Sequence, residues 1–473
     1  MPLPRKEPSF EQLLAGAHTD ESSHLELTDG DRVAVIGGGP AGSFVSYFML
    51  RMAEQVGLAI DVDIFEPRHF DHSGPAGCNH CGGIVSESLV QMLATEGINL
   101  PATVVQRAID SYMLHMDVGR VRIDTPLLEK RIAAIYRGKG PEEADAMQIV
   151  GFDDYLLELA SRRGASIVRK MVSDIEVTDY GSRVICTDGL SGSYDFLVMA
   201  TGINSQLLQT IEGMDFGFQA PEKSKTYICE FHLGPGAVAE YLGTSMHVFL
   251  LDLPRLEFAA LIPKGEFVTA CLLGEEIDEE LIESFFALPE VCACFPNAHV
   301  PPIVCHCFPR LNYNAARNPF ADRVVAVGDC GVTRLYKDGI GAAYRTAKVA
   351  ASTAILHGIS GDDFRRYFWP TCRMINFDNS IGKLIFDVTH GIQKVRVSRR
   401  AVLRMTTREQ RQLGSAQHLS RILWDLFTGS APYREVLLRA CHPIFIIKLV
   451  WNLMVALWPF GATRQMEGRT DVG

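Results

Sequence analysis

Apolar positions in the first part of the chain change period twice. Val33-Ala34-Val35-Ile36 is a short, mostly β-branched apolar run, the pattern of a buried strand. Behind it, Ala41, Phe44, Val45, Phe48, Met49 and Met52 recur at helix spacing. Ile60-Asp61-Val62-Asp63-Ile64-Phe65-Glu66 then reads as a second strand that ends in an acid. The order is strand, glycine turn, helix, strand, carboxylate.

Periodicity lapses from Arg68 to Gly83, which predicts a loop, and Leu89, Met92 and Leu93 then suggest a helix. Residues 103–125 alternate loosely as strands, and Arg137-Gly138-Lys139-Gly140-Pro141 reads as a turn. Phe152–Ala160 predicts a helix with Gly164 past its end. Strands follow from Ser166 through Val177, with Val184–Thr187 pairing as a hairpin. Tyr194–Met199 is a buried-strand run that ends in the small-residue turn Ala200-Thr201-Gly202. Lys225–His232, Met246–Leu251, Glu257–Ile262 and Val268–Leu273, with turn signals between them, predict a mainly antiparallel sheet. A helix is expected over Glu276–Ala287. Arg323-Val324-Val325-Ala326-Val327-Gly328-Asp329 is a third strand, followed by a helix from Ile340 through Ala351 that Gly339 and Gly341 open. From Asp362 onward the pattern is helical.

With 473 residues, 47% of them hydrophobic, the chain can build two or three domains with a substantial core. Its net charge of −11 excludes nucleic acid as an expected partner. Residues 1–30 are polar and lack an apolar signal core, so they read as a leader or surface arm. Twelve scattered cysteines fit free thiols in a reducing cytoplasm.

The glycine turn carries the first chemistry. Gly37, Gly39 and Gly42 form Gly-x-Gly-x-x-Gly. The first glycine permits a tight turn, the second lets a pyrophosphate reach the backbone, and the third lets the helix pack on the strand. The helix start, Pro40-Ala41, offers N–H groups to phosphate. Glu66 stands some two dozen residues past Gly42, near the ~20 usual for a ribose-binding acid. The whole context is that of dinucleotide binding.

Three pieces recur in fixed order in a large group of flavoproteins that includes aromatic hydroxylases, flavin halogenases and geranylgeranyl reductases. They are the glycine turn with Glu66, the turn at Ala200-Thr201-Gly202, and Gly328-Asp329 before a Gly-x-Gly helix start. Within that group the chain resembles the geranylgeranyl reductases. Cys81-Gly82-Gly83-Ile84-Val85-Ser86 is similar to their Cys-Gly-Gly-x-x-Ser segment, Gly328-Asp329-Cys330-Gly331 to their Gly-Asp-Ala-Ala-Gly, and Gly339-Ile340-Gly341 to their Gly-Glu-Gly. Phe258-Ala259-Ala260-Leu261-Ile262-Pro263-Lys264-Gly265 is similar to their Tyr-x-Trp-x-Phe-Pro-Lys-Gly strand, with Phe258, Ala260 and Ile262 in place of three larger or more polar aromatics. Tyr336 stands where that family has Pro. Both Trp of the halogenase strand are missing, and Thr201 replaces the Asp of the hydroxylases.

The resemblance implies an α/β fold: a Rossmann-like FAD-binding domain (31–205 and 316–360) with an interleaved antiparallel substrate domain (206–315) and a helical C-terminal region (361–473). It implies FAD, with Glu66 on the adenosine ribose and Gly37, Gly39, Pro40, Ala41 and Gly42 at the pyrophosphate. Gly202, Gly328 and Asp329 would face the ribityl side, and Gly339, Ile340, Gly341 and Ala342 the flavin carbonyl, where a helix start favours negative charge. Cys81 is the candidate reactive or positioning thiol. The implied reaction is hydride and proton addition to a carbon–carbon double bond of an isoprenoid or other lipid-like substrate. The electron donor is open between NAD(P)H and a donor protein such as ferredoxin. Two alternatives stand beside it: a flavin monooxygenase, and a non-catalytic prenyl-binding protein.

Cys78-Asn79-His80-Cys81, Cys292-Ala293-Cys294 and Cys305-His306-Cys307, with His69 and His72, invite a metal or a Cys78–Cys81 disulfide. None has a four-ligand spacing, so no metal is assigned and free thiols are expected. Residues 394–411 gather Lys394, Arg396, Arg399, Arg400, Arg404, Arg408 and Arg411 against Glu409. Ile444–Phe460 is strongly apolar but short of a ~20-residue span and carries Lys448 and two Trp. A helix lying on the inner membrane surface is the expectation, with a buried helix as the alternative.

Overall fold

The computed structural model describes residues 23–74, 81–125, 132–146, 148–214, 216–412 and 417–457. A six-stranded sheet runs in the order Phe320–Ala321, Val324–Ala326, Phe196–Met199, Arg32–Ile36, Asp61–Phe65, Ser166–Val168. All neighbours are parallel except the first pair. The expected strand at Val33 lies at its centre and is buried on both faces, which is why its apolar run does not alternate. The helix Pro40–Val56 covers the sheet together with Gly339–Leu356, a longer version of the helix expected from Ile340. Tyr344 sets its ring edge-on to Phe44 and Phe48, at 5.7 and 5.6 Å between centroids.

A seven-stranded sheet forms the second layer, in the order Cys305–Cys307, Tyr227–His232, Phe267–Gly274, Leu256–Lys264, Ser245–Phe249, Ser111–Met116, Gly119–Asp124. Four of these strands match expected ones within a few residues. The strands expected in 103–125 also form, and Ser111–Met116 joins this sheet by pairing parallel to Ser245–Phe249. The seven-stranded sheet therefore draws on chain before residue 206 as well as after it.

The C-terminal helices Trp369–Lys394, Arg396–Arg411, His418–Thr428, Tyr433–Ala440 and Pro443–Leu457 close over one face of that sheet. Trp424 is buried there, its ring 5.0 Å from Tyr112, and its indole N–H donates to Glu87 Oε1 at 3.1 Å. Part of the basic run is structural: Arg399 makes two hydrogen bonds to Asp117, at 2.6 and 3.0 Å. Glu409 is buried and receives the first turn of the next helix, accepting from Leu419 N at 3.1 Å, Ser420 N at 2.8 Å and Ser420 Oγ at 2.9 Å. This carboxylate satisfies N–H groups that no helical carbonyl reaches and complements the positive helix end. Glu409→Ala is expected to destabilise the chain by ~4–5 kcal/mol, three charge-assisted bonds at roughly 1.5 each. Thermal unfolding followed by circular dichroism measures this.

Candidate functional site

The glycine turn, the turn at Ala200-Thr201-Gly202, Asp329 and the start of Gly339–Leu356 meet around one cavity of about 1080 Å³. Ligand pockets usually hold ~300–1,000 Å³, so there is room for a large molecule. Gly37, Gly39, Pro40, Ala41, Glu66 and Cys81 line it from one side. Gly202, Asp329, Gly339 and Ile340 line it from the other. Gly42, Gly328, Gly341 and Ala342 lie behind the wall.

Those behind the wall have packing reasons for being small. A side chain on Gly42 would overlap the Gly37 carbonyl, and one on Gly341 the Asp338 carboxylate. Gly37, at φ 107°, would carry a Cβ 2.5 Å from the Ala200 carbonyl oxygen. Gly39 differs. Its φ of −70° suits any residue, and a Cβ there would meet only the Arg137 guanidinium at 3.4 Å and Asp153 Oδ2 at 3.8 Å. No neighbour in the protein requires glycine at this position. Gly39 is also the N-cap of Pro40–Val56 and supplies no side-chain cap, so the N–H groups of that helix start are left for an anion.

Arg137 lines the cavity opposite Gly39 and is pinned by Asp153 through Nε–Oδ1 at 3.0 Å and Nη2–Oδ2 at 2.8 Å. Asp153 is wholly buried. Sequence reading found only a turn at Arg137; the available signal was a cation directly after the buried strand Ile132–Ile135, facing an acid in the first turn of Phe152–Arg162. The pair forms a fork held rigid before any ligand arrives.

Glu66 is buried, and four donors already reach its carboxylate. Oε1 accepts from Arg68 N at 3.0 Å and Arg68 Nε at 2.9 Å, and Oε2 from Gly38 N at 3.1 Å and Arg68 Nη2 at 3.1 Å. A carboxylate offers about four such sites. A ribose can bond to Glu66 only as the Arg68 guanidinium moves aside. Burial pushes the Asp329 carboxyl above its usual range, with the Arg137 guanidinium opposing.

The helix start at Gly339 is held from behind. Asp338, at φ 55°, accepts from Arg334 Nη1 at 2.7 Å and Arg345 Nη1 at 3.0 Å rather than capping its own helix. Tyr336, also left-handed at φ 59°, lines the cavity, and burial raises its hydroxyl above the usual range. Lys337 donates to the carbonyls of Asp425 at 2.9 Å and Leu426 at 2.8 Å, tying this turn to the C-terminal layer. Two non-glycine residues in the left-handed region within three positions are a local cost that this network sustains.

Cys81 sits in the cavity wall, and its Sγ accepts from Gly83 N at 3.3 Å. Cys78 lies outside the described residues, and with it the alternative of a Cys78–Cys81 disulfide; the described cysteines are free thiols, as expected. The far wall is apolar, built by Ile228, Met246, Phe258, Ala260 and Ile262 of the seven-stranded sheet with Phe427 from the C-terminal layer.

No protein-family model matches the chain, and no curated protein does. Solved structures do. A flavoprotein/dehydrogenase from Cytophaga hutchinsonii shares 14% identity over 90% of this chain and 100% of its own, at a TM-score of 0.61. The p-nitrophenol 4-monooxygenase PnpA from Pseudomonas putida DLL-E4 shares 13% identity over 86% of this chain and 100% of its own, at a TM-score of 0.56. A variant of the halogenase PltM in complex with FAD shares 12% identity over 90% of this chain and 91% of its own, at a TM-score of 0.56. The chain thus has the α/β flavoprotein fold that its motifs implied.

Removing Arg137 leaves Asp153 buried without its guanidinium partner. Arg137→Ala is expected to cost ~3–5 kcal/mol, and Arg137→Met with Asp153→Leu to recover most of that. Denaturant melts of the two variants check the order.

Proposed function

We propose that the chain is an FAD-dependent oxidoreductase that reduces carbon–carbon double bonds of an isoprenoid or other lipid-like substrate. The observation that carries the cofactor is Gly39: its neighbours and its backbone leave room for a side chain, so only a ligand lying against the turn requires glycine there. The apolar far wall, opened by Ala260, carries the substrate class.

Bound FAD supplies hydride transfer to carbon. The residues of the chain hold it and exclude water. The uncapped helix start at Pro40 and the Arg137 fork would take the pyrophosphate. Glu66, with Arg68 displaced, would take the ribose, and Asp329 the ribityl hydroxyls. The uncapped N–H groups at Gly339 would stabilise negative charge on the flavin ring. Cys81, between the turns and the apolar wall, is the residue we assign to place or donate the proton. The donor of electrons is NAD(P)H or a small redox protein.

The protein should purify yellow. Gly39→Ala is expected to keep the wild-type melting curve without cofactor yet lower FAD affinity at least tenfold, read by flavin fluorescence. Anaerobically reduced protein should be reoxidised by polyprenyl alkenes. Failure of all polyprenyl compounds, with oxygen consumed only when substrate is added, would replace the reductase with a monooxygenase. Colourless protein that cannot be reconstituted would leave only prenyl binding.

The C-terminal helix bears on access to such a substrate. Among the described residues no single helix is long and apolar enough to cross a membrane; Tyr433–Ala440 and Pro443–Leu457 pass together only with a 66° bend. Pro443–Leu457 exposes Ile444, Ile447, Val450, Trp451 and Met454. We propose that this face lies on an anionic lipid surface, with the exposed Arg400, Arg408 and Arg411 contributing charge. The intact chain should float with phosphatidylserine vesicles at low salt, and Ile447→Glu with Trp451→Glu should stay at the bottom of the gradient.

A further inference from the structure

One cluster lies away from the cavity and plays no part in the proposed chemistry. His115 on Ser111–Met116, His247 on Ser245–Phe249 and Cys294 just after Pro289–Cys292 are all buried, and their ligand-type atoms lie within 4.8 Å of one another. The parallel pairing of the two strands sets Phe249 opposite His115, so both imidazoles share one face. The short helix carrying Cys294 packs over that face.

The distances are those of a ligand set. His115 Nε2 to His247 Nδ1 is 3.0 Å, His247 Nδ1 to Cys294 Sγ is 3.3 Å, and Cys294 Sγ to His115 Nε2 is 3.8 Å. A triangle with these edges has its equidistant point roughly 2 Å from each corner, which is a metal–nitrogen bond length and slightly short for metal–sulfur. The orientation is also prepared. A backbone hydrogen bond to Leu242 holds the His247 ring, and Nδ1 is the nitrogen that faces His115 and Cys294. Phe249 stacks on His115 at 4.7 Å and Phe285 meets Phe249 edge-on at 5.4 Å, so that side of the cluster is apolar, while the Arg120 guanidinium acts on all three groups from nearby.

The geometry points to a three-coordinate site for one thiophilic d10 cation, held by His115, His247 and Cys294. Such an ion is cuprous copper or zinc, the two that a thiolate with imidazoles selects. Charge balance favours copper: one thiolate neutralises a monovalent ion, while a dication would leave net positive charge near the Arg120 guanidinium. On binding, the Cys294 thiol proton leaves to solvent and each imidazole gives the ion a lone pair while its proton rests on the other ring nitrogen; nothing is oxidised. Because the ligands come from two strands and the helical cover, the ion would clamp the cover onto the seven-stranded sheet. No route from this site to the flavin-side cavity is required.

The test uses the full chain, incubated anaerobically with cuprous ion or with zinc, desalted, and measured by inductively coupled plasma mass spectrometry. One equivalent of either metal per chain is expected, and the melting temperature should rise. Cys294→Ser and His247→Ala should each retain less than a tenth of that metal. His306→Ala, on an exposed imidazole outside the cluster, should retain all of it. Failure of the wild-type chain to hold a tenth of an equivalent of either ion overturns the proposal and leaves a hydrogen-bonded triad. Retention of metal by both ligand variants overturns it equally. Because wild-type protein decides the first outcome, a variant that misfolds does not spare the idea.

Discussion

The structure depends on backbones that approach one another too closely for side chains. The Gly42 backbone sits on the Gly37 carbonyl, Gly37 sits on the Ala200 carbonyl, and a Cβ on Gly328 would lie 2.6 Å from that of Ala41. Those contacts bring the ends of the strands Arg32–Ile36, Phe196–Met199 and Val324–Ala326 to one edge of the parallel sheet, where helix starts converge on a common space. In an open α/β sheet the carboxyl ends of the strands are where ligands bind. The packing of small residues is thus the cause of the cavity.

Around that edge the charges are organised as held pairs. Arg137 is locked by Asp153, Arg68 by Glu66, and both Arg334 and Arg345 by Asp338. A guanidinium with a rigid carboxylate behind it loses little freedom when a second anion arrives, and the buried acid prevents it from collapsing into the cavity beforehand. The three pairs differ in what they leave available. The Arg137 fork faces the glycine turn, whereas the Asp338 cluster spends its bonds on fixing a strained turn. At Glu66 the cation covers the carboxylate, so any ligand hydroxyl reaching that acid would have to exchange places with the guanidinium.

What the sequence disclosed follows from the range of each constraint. Local demands were legible: Gly37, Gly42 and Gly328 mark backbone that cannot carry a side chain, and the doubly buried strand at Val33 announced itself by failing to alternate. Pairings between distant segments were not. Alternation over 103–125 indicated strands, but nothing in it says that Ser111–Met116 lies beside Ser245–Phe249, because a period of two fixes faces and not neighbours. Arg137 and Asp153 looked like a turn residue and a helix-start acid, since each satisfies a local rule by itself. The basic run at 394–411 read as one patch, yet Arg399 is withdrawn from it by Asp117, which sits in a turn far away in sequence. Charge counted along the chain overstates charge presented to a surface.

The two sides of the cavity differ in how far their residues can vary. The glycine-turn edge tolerates few substitutions, because its glycines are set by contacts of the backbone with itself and its forked pairs by rigid side-chain geometry. The opposite wall is different in kind. Its residues Ile228, Met246, Phe258, Ala260 and Ile262 come from strands whose hydrogen bonds are indifferent to side-chain identity, and Phe427 comes from a helix in another layer. Side chains there can exchange size at the cost of repacking alone, a volume change and not a fold change. That asymmetry places the departures at Phe258, Ala260 and Ile262 on the one wall where they alter the shape of the space without disturbing the turns that create it.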